Sequence, residues 1–203
     1  MTIEKHRSWG EAGPLGDGGV VVSSDQAARA VVEGCRRAGT DIPDIGLLDG
    51  DLCRTVGGRG DEARVRSSQG TRLPVDVGSV LIDGRLHWFV AHLIVRNSWW
   101  RGRVVAVMNA QWLGRWDVAP KSHPNDGLLD VFDGDLSLDD RLKARRRLIT
   151  GTHVPHPGIA TRRVGALQLD FDRATPVWLD GIRVGRATSL SIRIESDAYT
   201  CVV

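Results

Sequence analysis

A chain of 203 residues that is 41% hydrophobic can bury one good core or two small ones, so a single domain or a compact pair of lobes is expected. A formal net charge of +2 is too small to argue for nucleic acid, and no nucleic-acid partner is expected. Three cysteines, Cys35, Cys53 and Cys201, far apart and odd in number, define neither a disulfide framework nor a zinc site and fit a reducing cytoplasm. No apolar run approaches the roughly 20 residues of a membrane span, so any membrane contact is expected to be peripheral.

Residues 1–18 hold Pro14 and several glycines without periodicity and read as a flexible lead-in. Gly19-Val20-Val21-Val22 predicts a short buried strand, and Ser23 or Ser24 is an N-cap. Asp25 to Arg37 then places Ala28, Val31, Val32 and Cys35 at helical spacing. Ile45 to Leu48 predicts a second buried strand and Asp51 to Val56 a short helical turn, giving a β-α-β-α fragment that needs a parallel sheet. The Gly/Arg/Ser-rich stretch from Gly57 to Gly70 is the boundary candidate. Beyond it, Val75 to Ile82, the turn Asp83-Gly84 and Leu86 to Val95 predict a hairpin. Further strands are expected at Val104–Met108, Leu128–Phe132, Leu167–Phe171, Val177–Leu179 and Leu190–Ile194. One helix interrupts them, begun by Ser137 and continued by Leu138, Leu142, Arg145 and Ile149. Its arginines, from Arg141 to Arg147, read as a solvated face. The expected class is α+β, with an α/β lobe over 1–60 and a mostly antiparallel β-lobe over 61–203.

Two local patterns carry chemistry. In Asn125-Asp126-Gly127-Leu128, the Asp126 carboxylate and the Leu128 carbonyl can face one point, which suits Mg²⁺ or Ca²⁺; the alternative is an Asx-Gly turn holding no ion. Among seven tryptophans, Trp88, Trp99, Trp100, Trp112 and Trp116 fall in one 29-residue window. They are read as core or oligomer interface, as a peripheral membrane patch with Arg101 and Arg103, or as the wall of a lipid pocket. His123, His153 and His156, loosely spaced among prolines, read as loop histidines.

Four segments, in order, resemble the bacterial diacylglycerol-kinase and sphingosine-kinase superfamily, which includes the YegS-like lipid kinases. They are Val107-Met108-Asn109 with Val118-Ala119-Pro120, then Asn125 to Val131, then Gly151 to Pro157, and lastly Leu179-Asp180-Gly181. The resemblance implies a truncated, Rossmann-like nucleotide lobe followed by an antiparallel β-sandwich that receives the lipid. It places Asp25, Asp51, Arg54 and Asn109 around the nucleotide, Asp180 as the catalytic base, and a structural cation at Asp126 and Leu128. Asp180 reads equally as an ordinary Asp-Gly hairpin turn. The chain departs from the family on the nucleotide side. Ser23-Ser24-Asp25-Gln26-Ala27 stands where the family has a Gly-Gly-Asp-Gly-Thr phosphate loop, the second loop at Gly50-Asp51 is shortened, and Ile182 stands where the family has Glu.

The expectation is a diacylglycerol-kinase-like protein that binds a lipid, an acyl chain or a partner, with ATP-dependent phosphotransfer weak or lost. The alternatives are an active lipid kinase using Mg-ATP and a non-catalytic oligomerising or regulatory partner that pairs with a full-length kinase; a homo-oligomer is expected.

Overall fold

In the computed structural model, which describes residues 9–203, an α/β fragment is hydrogen-bonded to a long folded sheet. The chain runs through β1 (Glu11–Ala12), β2 (Val20–Val22), α1 (Asp25–Ala38), β3 (Ile45–Leu47), α2 (Asp51–Thr55) and α3 (Glu62–Val65). It continues through β4 (Thr71–Ile82), β5 (Arg85–Phe89), β6 (His92–Arg96), β7 (Val104–Met108), β8 (Trp112–Leu113), β9 (Trp116–Asp117) and β10 (Leu129–Gly134). Helix α4 (Leu138–Arg147) and the strands β11 (Ile159–Val164), β12 (Ala166–Leu179) and β13 (Ile182–Val202) complete it.

Helix α1 starts because the Ser24 hydroxyl accepts the Ala27 amide, and it stops at Gly39, whose φ of 68° few other residues adopt. Between these ends Ala28 and Val32 face the core. Strands β2 and β3 pair in parallel, and β3 pairs in parallel with the end of β13. The remaining strands of this sheet are antiparallel in the order β1-β4-β13-β12-β6-β7-β10-β11, with β5 on β4, while β8 and β9 form a separate two-stranded hairpin.

β13, 21 residues long, joins the two parts: its first half pairs with β12, its second with β4, and its last residues with β3. Register shifts between Asp170 and Thr175 and between Glu195 and Tyr199 bend the long strands. The sheet folds over, so Val80, Phe89, Leu190 and Ile192 pack against Leu93, Val95, Val107 and Leu129. A second core beneath α1 and α2 joins Val32, Leu47 and Leu52 to Val75, Tyr199 and Cys201. The outer face of β6 and β7 carries Ile94, Ala106 and Met108 under Trp99, Trp116 and Leu148. These central strands are covered on both faces, and they read as continuous apolar runs for that reason.

Several expectations are corrected. Residues 9–18 are tied down, since Trp9 donates its indole N–H to the Pro74 carbonyl at 3.1 Å and β1 pairs with β4; residues 1–8 of the expected lead-in lie outside the described part. The run Leu86 to Val95 is two strands, broken at Val90-Ala91. The separate strands expected at 167–171 and 177–179 are one bulged strand. Arg141 is buried rather than solvated: its guanidinium donates to the carbonyls of Leu136, Trp99 and Gly102 and pairs with Asp135. Unpaired carbonyls at the α4 start and the Trp99 loop draw it inward.

Candidate functional site

The carboxyl ends of the parallel strands β2 and β3 open into a cleft, where open α/β sheets place ligands. Ser23, Ser24, Gln26 and Asp49 line it together with Asp25, Asp51, His92, Asp180 and Leu113. Asp25 follows the Ser24 cap in the first turn of α1, so its carboxylate reaches across to the start of α2. It accepts the Asp51 amide at 2.6 Å and the Leu52 amide at 3.1 Å. Gly50 makes that approach feasible: its φ is 112°, and a Cβ there would lie 2.5 Å from Asp25 Oδ1.

Asp51 turns the other way. One oxygen meets His92 Nε2 at 3.1 Å, and the other accepts the Gly114 amide at 2.8 Å. The β8–β9 hairpin is thereby fixed over α2, helped by Arg54, whose Nη1 donates to the Gly114 carbonyl at 3.0 Å and whose guanidinium lies 3.4 Å from the Trp112 ring centre. Arg54 therefore serves the hairpin, and the cleft lining contains no lysine or arginine.

Asp180 sits at φ 46° in the β12–β13 turn, followed by Gly181 at 82°, a geometry that suits a two-residue hairpin. Its side chain is fully buried and accepts the amides of Val90 at 3.0 Å, Ala91 at 2.9 Å and His92 at 3.0 Å. These are the amides freed where β5 ends and β6 begins, so the strand break and the carboxylate explain each other. Asn109 pins the same break from the far side, donating to the carbonyls of Val90 at 2.8 Å and Asp76 at 2.9 Å, and is wholly buried.

Four carboxylates and one imidazole thus share the cleft. Burial, reinforced by the negative charge of Asp180, pushes the Asp25 carboxyl up to about 7 against the pull of the Asp51 and Leu52 amides. Burial also raises Asp180, opposed by the His92 charge and its three amide donors. For Asp51, burial acts upward, but the bonds from His92 and Gly114 and the charges of His92 and Arg54 outweigh it and hold the group low. Burial would depress His92, yet its bond to Asp51 and the surrounding carboxylates raise it. Among the described residues, one oxygen each of Asp25 and Asp51 and a ring nitrogen of His92 form the grouping fit for a metal ion, all within 4.8 Å of one another. Two carboxylates and an imidazole suit Mn²⁺ or Zn²⁺ at least as well as Mg²⁺.

The structure brings Asp25, Asp51 and Asp180 together and leaves Asp126 and Leu128 elsewhere. Asp126 Oδ1 accepts the Leu128 amide at 3.0 Å while Oδ2 pairs with Arg163, which also reaches Asp130 at 3.1 Å. Arg163 therefore supplies positive charge where a cation is expected. Asp76 organises the loop, accepting the Gly127 amide at 2.8 Å and the Asp197 amide at 2.9 Å. His92 and Asp76 escape sequence reasoning, although each is a lone ionisable residue inside an apolar strand run.

A second, apolar cavity of about 150 Å³ lies between α4 and the outer face of β7 and β10. Ala106, Phe132 and Leu148 form its floor, and Trp99, Trp100 and Trp116 its walls. Leu113 lines both this cavity and the acidic cleft, so the two adjoin at the β8–β9 hairpin. The tryptophans divide among roles: Trp88 is core and donates to Glu195 at 2.8 Å, Trp99 and Trp116 meet edge to face at 5.6 Å, and Trp100 is exposed.

An α/β fragment is thus fused to a folded antiparallel lobe, with a cleft at their junction. The model of the YegS C-terminal NAD kinase beta sandwich-like domain matches residues 77–200, and the chain belongs to that family. Three solved structures from Bacillus anthracis strain Sterne, two described as putative diacylglycerol kinases and one as a diacylglycerol kinase, share its fold. Their TM-scores are 0.69, 0.67 and 0.67 at 14, 15 and 16% identity, over 90% of this chain and 77, 77 and 76% of theirs. The search of curated proteins finds no match. Among the described residues, no helix is long and apolar enough to cross a membrane.

Proposed function

We propose that this is a lipid-kinase-like protein that holds an acyl chain in the cavity beneath α4 and whose phosphotransfer from ATP is weak or lost. The observation that carries the reading is the contrast between the two cavities that meet at Leu113. The cleft on the nucleotide side is acidic, has the first α2 amides spent on Asp25, and is adjoined by Arg29, 3.9 Å from Asp180, and by Arg54 without either entering its lining. A triphosphate needs the opposite: free amides and positive charge. The residues present therefore do not fit ATP. The cavity beneath α4 is concave and apolar, as an acyl-chain site requires. Titration with dodecanoate below its micelle concentration should quench or shift emission from Trp99, Trp100 and Trp116. No change in emission, together with no binding heat, would remove the acyl-chain reading.

A second reading, an active lipid kinase, is favoured by the convergence of Asp25, Asp51 and His92 on one point. A divalent cation held there would offset part of the cleft's negative charge and supply a positive centre for phosphate oxygens. Mn²⁺ electron paramagnetic resonance on wild type and Asp51→Asn separates the two. Stoichiometric binding lost in the variant supports the second reading, and no binding supports the first.

A further inference from the structure

Helix α4 wears its apolar stripe on the outside. Leu138 and Leu142 on α4 and Ile149 in the 3-10 turn that follows it (Leu148–Thr150) are 61, 50 and 53% exposed, while Arg141 and Ala144 are buried and Leu148 packs under the helix. Trp100, 46% exposed, extends the patch to the mouth of the apolar cavity, where Arg145 lies 5.1 Å from its ring centre. Large apolar side chains gathered on one exposed face mark a surface that meets something apolar.

Charge selects the occupant. At the start of α4, Lys143 pairs with Asp139 and lies 3.9 Å from Asp140, and Asp135 pairs with Arg141, so one negative charge is left there against Arg101, Arg145, Arg146 and Arg147. At its end, Arg146 and Arg147 are exposed, and like Arg101 beside Trp100 they have no carboxylate partner among the described residues. The unneutralised charge around the patch is thus positive. A second copy of this chain would bring the same positive charge, and four side chains fall well short of the roughly 20–30 residues per side of a stable dimer. An anionic bilayer offers both complements: acyl chains for the leucines and Trp100, phosphates for the arginines.

We infer that the outer face of α4 with Trp100 docks on anionic membrane surfaces and presents the cavity mouth to the lipid. This goes beyond the acyl-chain reading and is tested apart from it. Flotation with phosphatidylcholine vesicles, with and without about one third phosphatidylglycerol, reads the docking. Wild type should bind the anionic vesicles, with binding falling at least about tenfold between about 0.1 and 0.5 M salt. Leu138→Glu/Leu142→Glu and Arg146→Glu/Arg147→Glu should each lose at least about tenfold, because every altered side chain is exposed and the fold is left intact. Dodecanoate binding to the purified variants should be unchanged, so failure of the cavity and failure of the docking face are read separately. Vesicle binding by both variants equal to wild type, or none by wild type at any composition, overturns the inference. So does a wild-type dimer that Leu142→Glu dissociates in light scattering, which would assign the face to a second copy.

Discussion

The Asp25 carboxylate and the Asp51 amide, 2.6 Å apart, join the first turn of α1 to the first turn of α2. A carboxyl side chain stands against amides that a bound phosphate would otherwise meet, in a cleft whose other ionisable groups are three more carboxylates and His92.

That relationship sets a pH dependence. The Asp25 carboxyl, raised to about 7 by burial and the Asp180 charge, holds a proton in the folded chain that the unfolded chain has released. The folded state therefore binds more protons between roughly pH 4 and 7, and stability falls as pH rises through that window. His92 adds to the trend, since a raised imidazole contributes stability below about 6.5 that is lost above its folded value. Thermal unfolding should show a lower melting temperature at pH 8 than at pH 5.5. In Asp25→Asn the slope should flatten, by at most about 4 kcal/mol at the alkaline end. An unchanged slope in the variant would place the titration elsewhere.

Gly50 permits the contact. Gly50→Ala forces a Cβ to 2.5 Å from Asp25 Oδ1 and 2.9 Å from the Asp25 backbone nitrogen at a φ of 112°. Urea unfolding should show a loss of roughly 1–3 kcal/mol.

Asp180→Ala leaves the buried amides of Val90, Ala91 and His92 without an acceptor. The expected cost is about 3 kcal/mol or more by urea unfolding, with Asp180→Asn milder. A near-neutral Asp180→Ala would mean that water or a repacked turn replaces the carboxylate, and would free Asp180 for a role as base.

Arg163 pairs with both Asp126 and Asp130. A divalent cation at Asp126 and Leu128 would have to displace it. Wild-type melting temperature should be insensitive to chelator, whereas Arg163→Ala should be destabilised and then recover with millimolar Ca²⁺, by mass action on the folded state. A chelator-sensitive wild type would establish a resident cation instead.

Much of the fold is written locally. The β-α-β fragment follows from Val20–Val22, the Ser24 cap and Ile45–Leu47, and Asp83-Gly84 and Asp180-Gly181 make the hairpin turns their chemistry favours. The strand β11 was not legible, because Ile159-Ala160-Thr161-Arg162-Arg163-Val164 is polar and gains its conformation from pairing with β10. Nor was the break at Val90-Ala91, which exists because Asp180, about 90 residues away, gathers the freed amides. In the cleft, Asp25, Asp51 and Asp180 were individually readable. That Asp25 points at α2, and that His92 joins them, are facts of tertiary packing. For α4 the helix was readable from its spacing, while the side facing solvent was decided by Arg141 and the carbonyls it satisfies.

The most direct measurement of the central claim is a calorimetric titration of the purified protein with Mg-ATP. An acidic cleft with its amides engaged by Asp25 should give no binding heat up to about millimolar nucleotide, where an ATP site of ordinary strength would be saturated. Micromolar affinity, accompanied by phosphoryl transfer to diacylglycerol that disappears in Asp51→Asn, would contradict the account.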